Sequence, residues 1–180
     1  RVLEALDTHG LWDDTALIVT TDHGFLLGEH DWWGKNRMPF YNEIANTPFF
    51  VWDPRSAKRG ERRSALVQPA LDTGPTLLEL FGVEPTEHMV GRSLRDTVAD
   101  DAPVRDAAIY GLHGGHVNVT DGRYVYMRGV AGESNQPLNQ YTIMPTHMKT
   151  PFSVEELSRG TTLTDRFAHT ACHTTPQQVG

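Results

Sequence analysis

The sequence predicts an α/β fold followed by a small antiparallel β subdomain, and three observations carry that expectation. Residues 15–21, TALIVTT, form a continuous apolar and β-branched run that empties into Asp22-His23-Gly24. A run apolar at successive rather than alternate positions reads as a strand buried on both faces, as in a parallel sheet covered by helices. Residues 71–83, LDTGPTLLELFGV, place apolar side chains at helical spacing between start and stop signals. Beyond residue 105 the pattern changes to short strands separated by turn residues.

Taken in order, Val2, Leu3 and Leu6 have helical spacing and the helix stops at Gly10, so the chain opens as if in the middle of a helix and reads as a piece of something longer. Leu11-Trp12-Asp13-Asp14 turns into the first strand. Gly24, Gly28 and Gly34 punctuate a loop, a helical stretch covers Phe40 to Ala45, and TPFFVW, residues 47–52, is a second apolar strand. Arg55, Lys58, Arg59, Arg62 and Arg63 gather around Pro54, Ser56 and Gly60, which reads as a solvated loop. The next helix takes Asp72 or Thr73 as N-cap, Pro75 in its first turn and Gly82 as C-cap. Composition shifts at 99–105, which sets expected domains of 1–100 and 101–180. In the second, AAIYGLH, HVNVT and RYVYMR are strands, the last two joined by Asp121-Gly122 as a type I′ hairpin turn. Ser153 and Glu156 form a capping-box pattern in a tail otherwise rich in Gly, Pro, Asn, Ser and Thr.

Composition narrows the function. Apolar residues at 38% and charged residues at 22%, with mean hydropathy of -0.43, describe a chain able to bury a core, and no run reaches the roughly 18 apolar residues of a spanning helix. The formal charge of -7 and pI near 5.7 argue against a nucleic-acid binder, which needs a basic face. Cys172 is the only cysteine, so no disulfide forms within the chain and the compartment is not legible. His169, Cys172 and His173 have the i, i+3, i+4 spacing of a zinc site, but their tail lacks the character of a helix that would present them.

The chemistry centres on residues 22–35. Ligands of open parallel sheets bind beyond the carboxyl ends of strands, and Asp22 and His23 sit at such an end. A carboxylate oxygen beside an imidazole nitrogen can supply two metal ligands; the pair can equally be a turn cap and a packed histidine. Glu29 and His30 add polar groups, and Lys35, after Trp32-Trp33-Gly34, can aim a compact cation at a tetrahedral oxyanion or simply face solvent. Two ligands are fewer than the three a catalytic metal site usually takes from protein. Trp12, Trp32, Trp33 and Trp52 are core or pocket wall, with Trp32 or Trp33 the candidates to line a substrate cleft. His113-Gly-Gly-His116 reads as a turn between strands or as pocket rim.

The stretch TTDHGFLLGEHDWWGKNRMPFYNEIANTPFFVWDP resembles the second signature region of the sulfatases, within the alkaline-phosphatase-like superfamily: Asp-His-Gly, Gly-Glu-His, Trp-Gly-Lys, a Tyr-x-Glu helix and a Pro-containing strand. Asp72 to Leu77 with Phe81-Gly82, and Val90 to Leu94, continue the likeness in order. The resemblance implies the C-terminal part of an alkaline-phosphatase-like α/β sandwich. It implies Asp22 and His23 as ligands of one divalent cation, with calcium favoured and manganese or magnesium allowed. It also implies Lys35 as the lysine on the sulfate and its leaving oxygen, with His30, Trp33 and His113 as further catalytic or substrate contacts. The family's nucleophile motif, Cys or Ser followed by x-Pro-x-Arg and matured to formylglycine, is nowhere in these residues, nor are its two earlier acidic ligands. The expected function is therefore a fragment of a sulfuric ester hydrolase acting on a small-molecule or glycan sulfate ester and inactive alone. Phosphonate or phosphodiester hydrolysis, or a non-catalytic chain that self-associates as a homo-oligomer, are the alternatives. No nucleic-acid or membrane partner is expected.

Overall fold

Helix α1 (Val2–His9) buries Leu6 and ends where Gly10 takes the left-handed φ of 62°, its N–H returning to the carbonyls of Leu6 and Asp7. The structure is a computed structural model describing residues 1–35, 37–87, 89–112, 114–132, 146–147 and 149–160. These fall into two units, one of residues 1–112 and 116–128, the other of the described residues among 113–115 and 129–180.

In the first unit, β1 (Leu17–Thr20) pairs with β4 (Phe49–Trp52) antiparallel, Leu17 opposite Trp52 and Val19 opposite Phe50. The sequence led us to expect a parallel, doubly covered strand, and this pairing corrects that. Between them the described residues of 21–48 form a short hairpin with a 3-10 turn at its tip and the four-residue α2 (Asn42–Ala45), too little helix for the crossover that usually joins parallel strands. Val19 and Phe50 are 51% and 66% exposed, and with Leu17, Trp12 and Trp52 they line a cavity of about 460 Å³. Trp12 and Trp52 meet edge to face at 5.8 Å, and each indole N–H is satisfied, Trp52 on the Trp12 carbonyl at 3.0 Å and Trp12 on Asp7 Oδ1 at 2.8 Å.

The basic segment is not simply solvated. Arg55 pairs with the buried Asp53 at 2.7 Å and with Glu79 at 3.2 Å, and the Arg59 guanidinium lies 4.9 Å over the Trp52 ring. Arg63 donates to the carbonyls of Thr97, Val98 and Ala99 at the end of α4 (Arg95–Asp100), so that Val98 and Ala99, past the last helical donor, gain a partner. In return Asp101 accepts from the Ser64 and Ala65 N–H groups and the Ser64 hydroxyl.

Helix α3 (Pro69–Leu80) starts three residues before the expected cap. Gln68 is the N-cap, Pro69 supplies the preset first φ, and Asp72 reaches back from inside the first turn to accept the Gln68 N–H at 2.7 Å. Asp72 is fully buried, and it also accepts from the Arg92 N–H at 3.0 Å and from both Arg105 η nitrogens at 2.6 and 2.5 Å. Burial works to raise its pKa, but the Arg105 hydrogen bonds, the Arg92 and Gln68 N–H groups and the Arg105 charge outweigh that and hold it below the ordinary carboxyl value. The C-cap is Phe81 rather than the expected Gly82, which follows it with a left-handed φ of 68°. Gly91 packs where Pro75 leaves the Leu71 carbonyl without its helical donor: a Cβ at 91 would come within 1.9 Å of that oxygen.

Strands β5 (Ala108–Gly111), β6 (Val117–Thr120) and β7 (Val125–Arg128) form an antiparallel sheet in that order. Ala108 and Asn118 lie on its buried face, while Ile109, Val117 and Tyr126 are exposed. The β6–β7 connection is Asp121–Tyr124 rather than a two-residue turn, because the Asp121 carboxylate gathers the Arg123 and Tyr124 N–H groups and widens the loop.

In the second unit, α5 (Val154–Gly160) opens on the expected capping box: Glu156 accepts from the Ser153 N–H and hydroxyl at 2.7 and 2.9 Å, and the Glu156 N–H donates to Ser153 Oγ. His169, Cys172 and His173 lie outside the described residues. Among the described residues, no helix is long and apolar enough to cross a membrane.

Candidate functional site at the end of the first strand

The chain leaves β1 through Thr21 into Asp22 and His23, and the backbone there folds tightly on itself. The Thr21 hydroxyl lies 3.3 Å from Asp22 Oδ1 and 3.2 Å from the His23 carbonyl, and the His23 N–H donates to Asp22 Oδ1 at 3.0 Å. Partial removal from water disfavours the charged carboxylate. The neighbouring His23 side chain, the His23 and Asp22 N–H groups and the Thr21 hydroxyl overcome this and hold the Asp22 pKa below its usual value.

His23 is oriented by its other nitrogen. Nδ1 stands 3.0 Å from the Gly24 carbonyl, an acceptor only, so Nδ1 carries the proton and the Nε2 lone pair is left outward. That lone pair faces two groups: Lys35 Nζ at 2.6 Å, which donates to it, and Asp22 Oδ2 at 3.3 Å. Three sequence-predicted site residues, Asp22, His23 and Lys35, therefore converge on one point. A separation near 3.3 Å suits two donors on one edge of a cation's coordination shell, given metal–ligand distances of roughly 2.0–2.6 Å. Oxygen plus imidazole fits a hard or borderline divalent cation, so these two residues fit as part of such a site. Among the described residues, no group of three or more His, Cys, Asp or Glu side chains could hold a metal ion.

Lys35 is brought back by a hairpin, β2 (Leu26–Leu27) paired with β3 (Trp33–Gly34). Below it a small core of Leu26, Met38 and Ile44, with Phe40 and Tyr41 against it, fixes the hairpin to α2. Gly24 is required by close approach rather than by its dihedrals: its N–H donates to the Ile44 carbonyl at 2.8 Å, and a Cβ there would lie 1.8 Å from the Glu43 carbonyl oxygen. At the hairpin tip Glu29 folds back to accept the Leu27 N–H at 2.6 Å.

The remaining expected site residues are placed differently. His30 is engaged with α2: Nε2 is 3.2 Å from both carboxylate oxygens of Glu43, and its ring stacks on Tyr41 with centroids 3.9 Å apart. Trp33 is 70% exposed and meets Phe25 edge to face, and Trp32 is exposed as well. His113 lies outside the described residues. Reasoning from single residues missed Thr21, Tyr41 and Glu43; the Tyr-x-Glu spacing before the second strand was the available signal.

Comparison with known proteins gives concordant results. The family model described as Sulfatase matches residues 1–83. An N-acetylglucosamine-6-O-sulfatase of Bacteroides thetaiotaomicron is 35% identical over 114 residues, 61% of this chain and 20% of that protein. The multifunctional alkaline phosphatase superfamily protein PehA of Trinickia caryophylli is 34% identical over 103 residues, 57% of this chain and 20% of that protein. This chain thus spans about a fifth of the length of these curated relatives. A solved structure of a protein in complex with its substrate D-glucosamine-2-N,6-O-disulfate superposes with a TM-score of 0.64 at 27% identity, over 74% of this chain and 29% of that one. Over residues 1–83 the chain thus matches the sulfatase family model, and its α/β fold is similar to that of the solved structure with the sulfated glucosamine substrate.

Proposed function

We propose that this chain is part of a metal-dependent sulfuric ester hydrolase, in which Asp22 and His23 are two ligands of a divalent cation and Lys35 contacts the ester. The observation that carries the reading is the convergence of Asp22 Oδ2 and Lys35 Nζ on His23 Nε2, at 3.3 and 2.6 Å, within a sulfatase-family segment. The cation, calcium in preference to manganese or magnesium for a carboxylate-containing site, supplies positive charge against the sulfate oxygens. The chain's own residues do the rest. Asp22 stays ionised and therefore available as a ligand. The Gly24 carbonyl holds the His23 tautomer whose Nε2 lone pair, taken by Lys35 in this structure, would coordinate once Lys35 turns to the ester. Lys35 donates an N–H to the ester's bridging oxygen, balancing the charge that gathers there as the S–O bond breaks. The attacking group, formylglycine in the family, and further acidic ligands come from outside these residues, so the chain alone is inactive. His30, Trp33 and His113 remain candidates for contact with the rest of the substrate, a small sulfated molecule or glycan such as that bound by the structural relative.

Phosphonate or phosphodiester hydrolysis is the second reading, favoured by the likeness to a multifunctional superfamily member. One experiment addresses both: the full-length protein is assayed with an aryl sulfate, a 6-sulfated glucosamine and an aryl phosphonate monoester, alongside Asp22→Ala and Lys35→Ala variants. Sulfate turnover lost in both variants supports the first reading, and faster phosphonate turnover the second. Rates unchanged by either substitution would remove these residues from the chemistry. The exposed Val19 and Phe50 face also supports self-association of the isolated chain, for which light scattering that finds a monomer is the contrary result.

A further inference from the structure

The hairpin that brings Lys35 to His23 is too small to hold itself. Its two strands have two residues each, and a two-stranded ribbon is marginal in water even when longer. Its base carries His23 on one side and Lys35 on the other. Its tip is the turn Glu29–Asp31, where His30 and Asp31 both adopt left-handed φ values, 56° and 60°. Such values are uncommon outside glycine, and although His and Asp adopt them more readily than most residues, two in succession need neighbouring contacts to hold them.

Those contacts come from Glu43 of α2 and from Tyr41, the residue that caps the helix. The Glu43 carboxylate faces His30 Nε2 with both oxygens at 3.2 Å, and Tyr41 lies flat against the same ring, the planes 13° apart. At the other end of the hairpin, the Glu43 main-chain carbonyl is the atom against which Gly24 is packed, next to His23. Glu43 thus touches the tip through its side chain and the base through its backbone.

We infer that Glu43 is the positioning residue of this site: by gripping His30 it pins the hairpin tip to α2, and through the short β2–β3 ladder it sets where Lys35 stands relative to His23. The Nε2–H of His30 donates to the carboxylate, and the charged groups around the ring are Glu43 on α2 and Glu29 and Asp31 on the turn itself. The geometric part stands on these contacts alone. The catalytic part rests on the ester-hydrolase reading.

The test has two arms. In the 180-residue chain, NMR follows the proximity of the Lys35 side-chain methylene next to Nζ to the His23 ring. The cross-peak is expected in the unsubstituted chain and in Glu43→Gln, whose amide oxygen still accepts from His30. It is expected to vanish in Glu43→Ala and in His30→Ala, with the β1 and β4 amide signals unmoved, and the double substitution should change nothing further. A cross-peak that survives Glu43→Ala, effects that add in the double variant, or collapse of the β1–β4 signals would overturn the proposal. In the full-length protein with an aryl sulfate, Glu43→Ala should lower kcat by about tenfold with little change in KM, and Glu43→Gln should restore it. Loss of the cross-peak without loss of kcat in an active enzyme also overturns it. A protein that hydrolyses no sulfate or phosphonate ester, yet shows the cross-peak pattern, defeats the hydrolase reading and upholds the geometric role of Glu43.

Discussion

Asp72→Asn should be among the most damaging single-atom changes available in the described fold. The carboxylate is fully buried and accepts from the Gln68 and Arg92 main-chain N–H groups and from both Arg105 η nitrogens, so it joins the start of α3, the loop before α4 and the segment leading into β5. An amide retains one acceptor oxygen but turns an NH2 group toward donors, leaving the Arg105 side chain, only 14% exposed, charged and unpaired. Breaking a buried pair by removing one partner costs about 3–5 kcal/mol, far more than the worth of an exposed ion pair. With a urea slope of about 1–3 kcal/mol/M, the unfolding midpoint should fall by roughly 1–5 M, measured by circular dichroism at pH 7. The pH dependence fixes the sign. The folded pKa of Asp72 is depressed, so its contribution is fully present above the unfolded value of 3.8 and is lost as pH falls through the folded one. Asp72→Asn should therefore flatten the acid limb of stability against pH. A midpoint shift worth less than about 1 kcal/mol, or an unchanged acid limb, would refute the assignment of Asp72 as the hub of this unit.

Other expectations follow from the site. Gly24→Ala would press a methyl group to 1.8 Å from the Glu43 carbonyl and should cost about 1–3 kcal/mol in the same denaturation assay; a neutral result would mean that Gly24 does not seat on α2. Lys35→Ala in the full-length protein should reduce kcat by about 10²-fold, read by initial rates on an aryl sulfate, whereas a change confined to KM would place the lysine in ground-state binding alone. Calcium should bind the isolated chain weakly in a calorimetric titration and not at all after Asp22→Ala, because only two ligands are supplied; one tightly held equivalent by metal analysis would contradict this.

Much of this was legible from residue order, for identifiable reasons. The left-handed stops at Gly10 and Gly82 and the Ser153–Glu156 box are local chemistry, decided within a turn of helix. The grouping of Asp22, His23 and Lys35 was an expectation from the family resemblance, because residue types alone left Lys35 equally able to face solvent. What failed depended on distant partners. The direction of β1 against β4 is set by how the intervening residues fold, and apolar content says nothing about it. Asp72 looked like a helix cap because the arginine that makes it a hub is Arg105, on another element. Within the basic segment Lys58, Arg59 and Arg62 are exposed as expected, but Arg55 and Arg63 are engaged because their acceptors, Glu79 and the end of α4, lie far along the chain. The resemblance implied His30 as a catalytic or substrate contact, and residue order gave no sign that the left-handed turn at the hairpin tip would also bring it to Glu43.

The exchange between Arg63 and the end of α4 has a practical corollary for the connection between β4 and α3. Lys58 and Arg59 are exposed, and trypsin, which must draw several residues of extended chain into its cleft, should find them first. The Arg63 side chain is occupied by the Thr97, Val98 and Ala99 carbonyls, and the residues after it are bound to Asp101. A brief digestion should accordingly nick the chain early in this connection and spare the peptide bond after Arg63, leaving α3 and α4 together on one intact peptide.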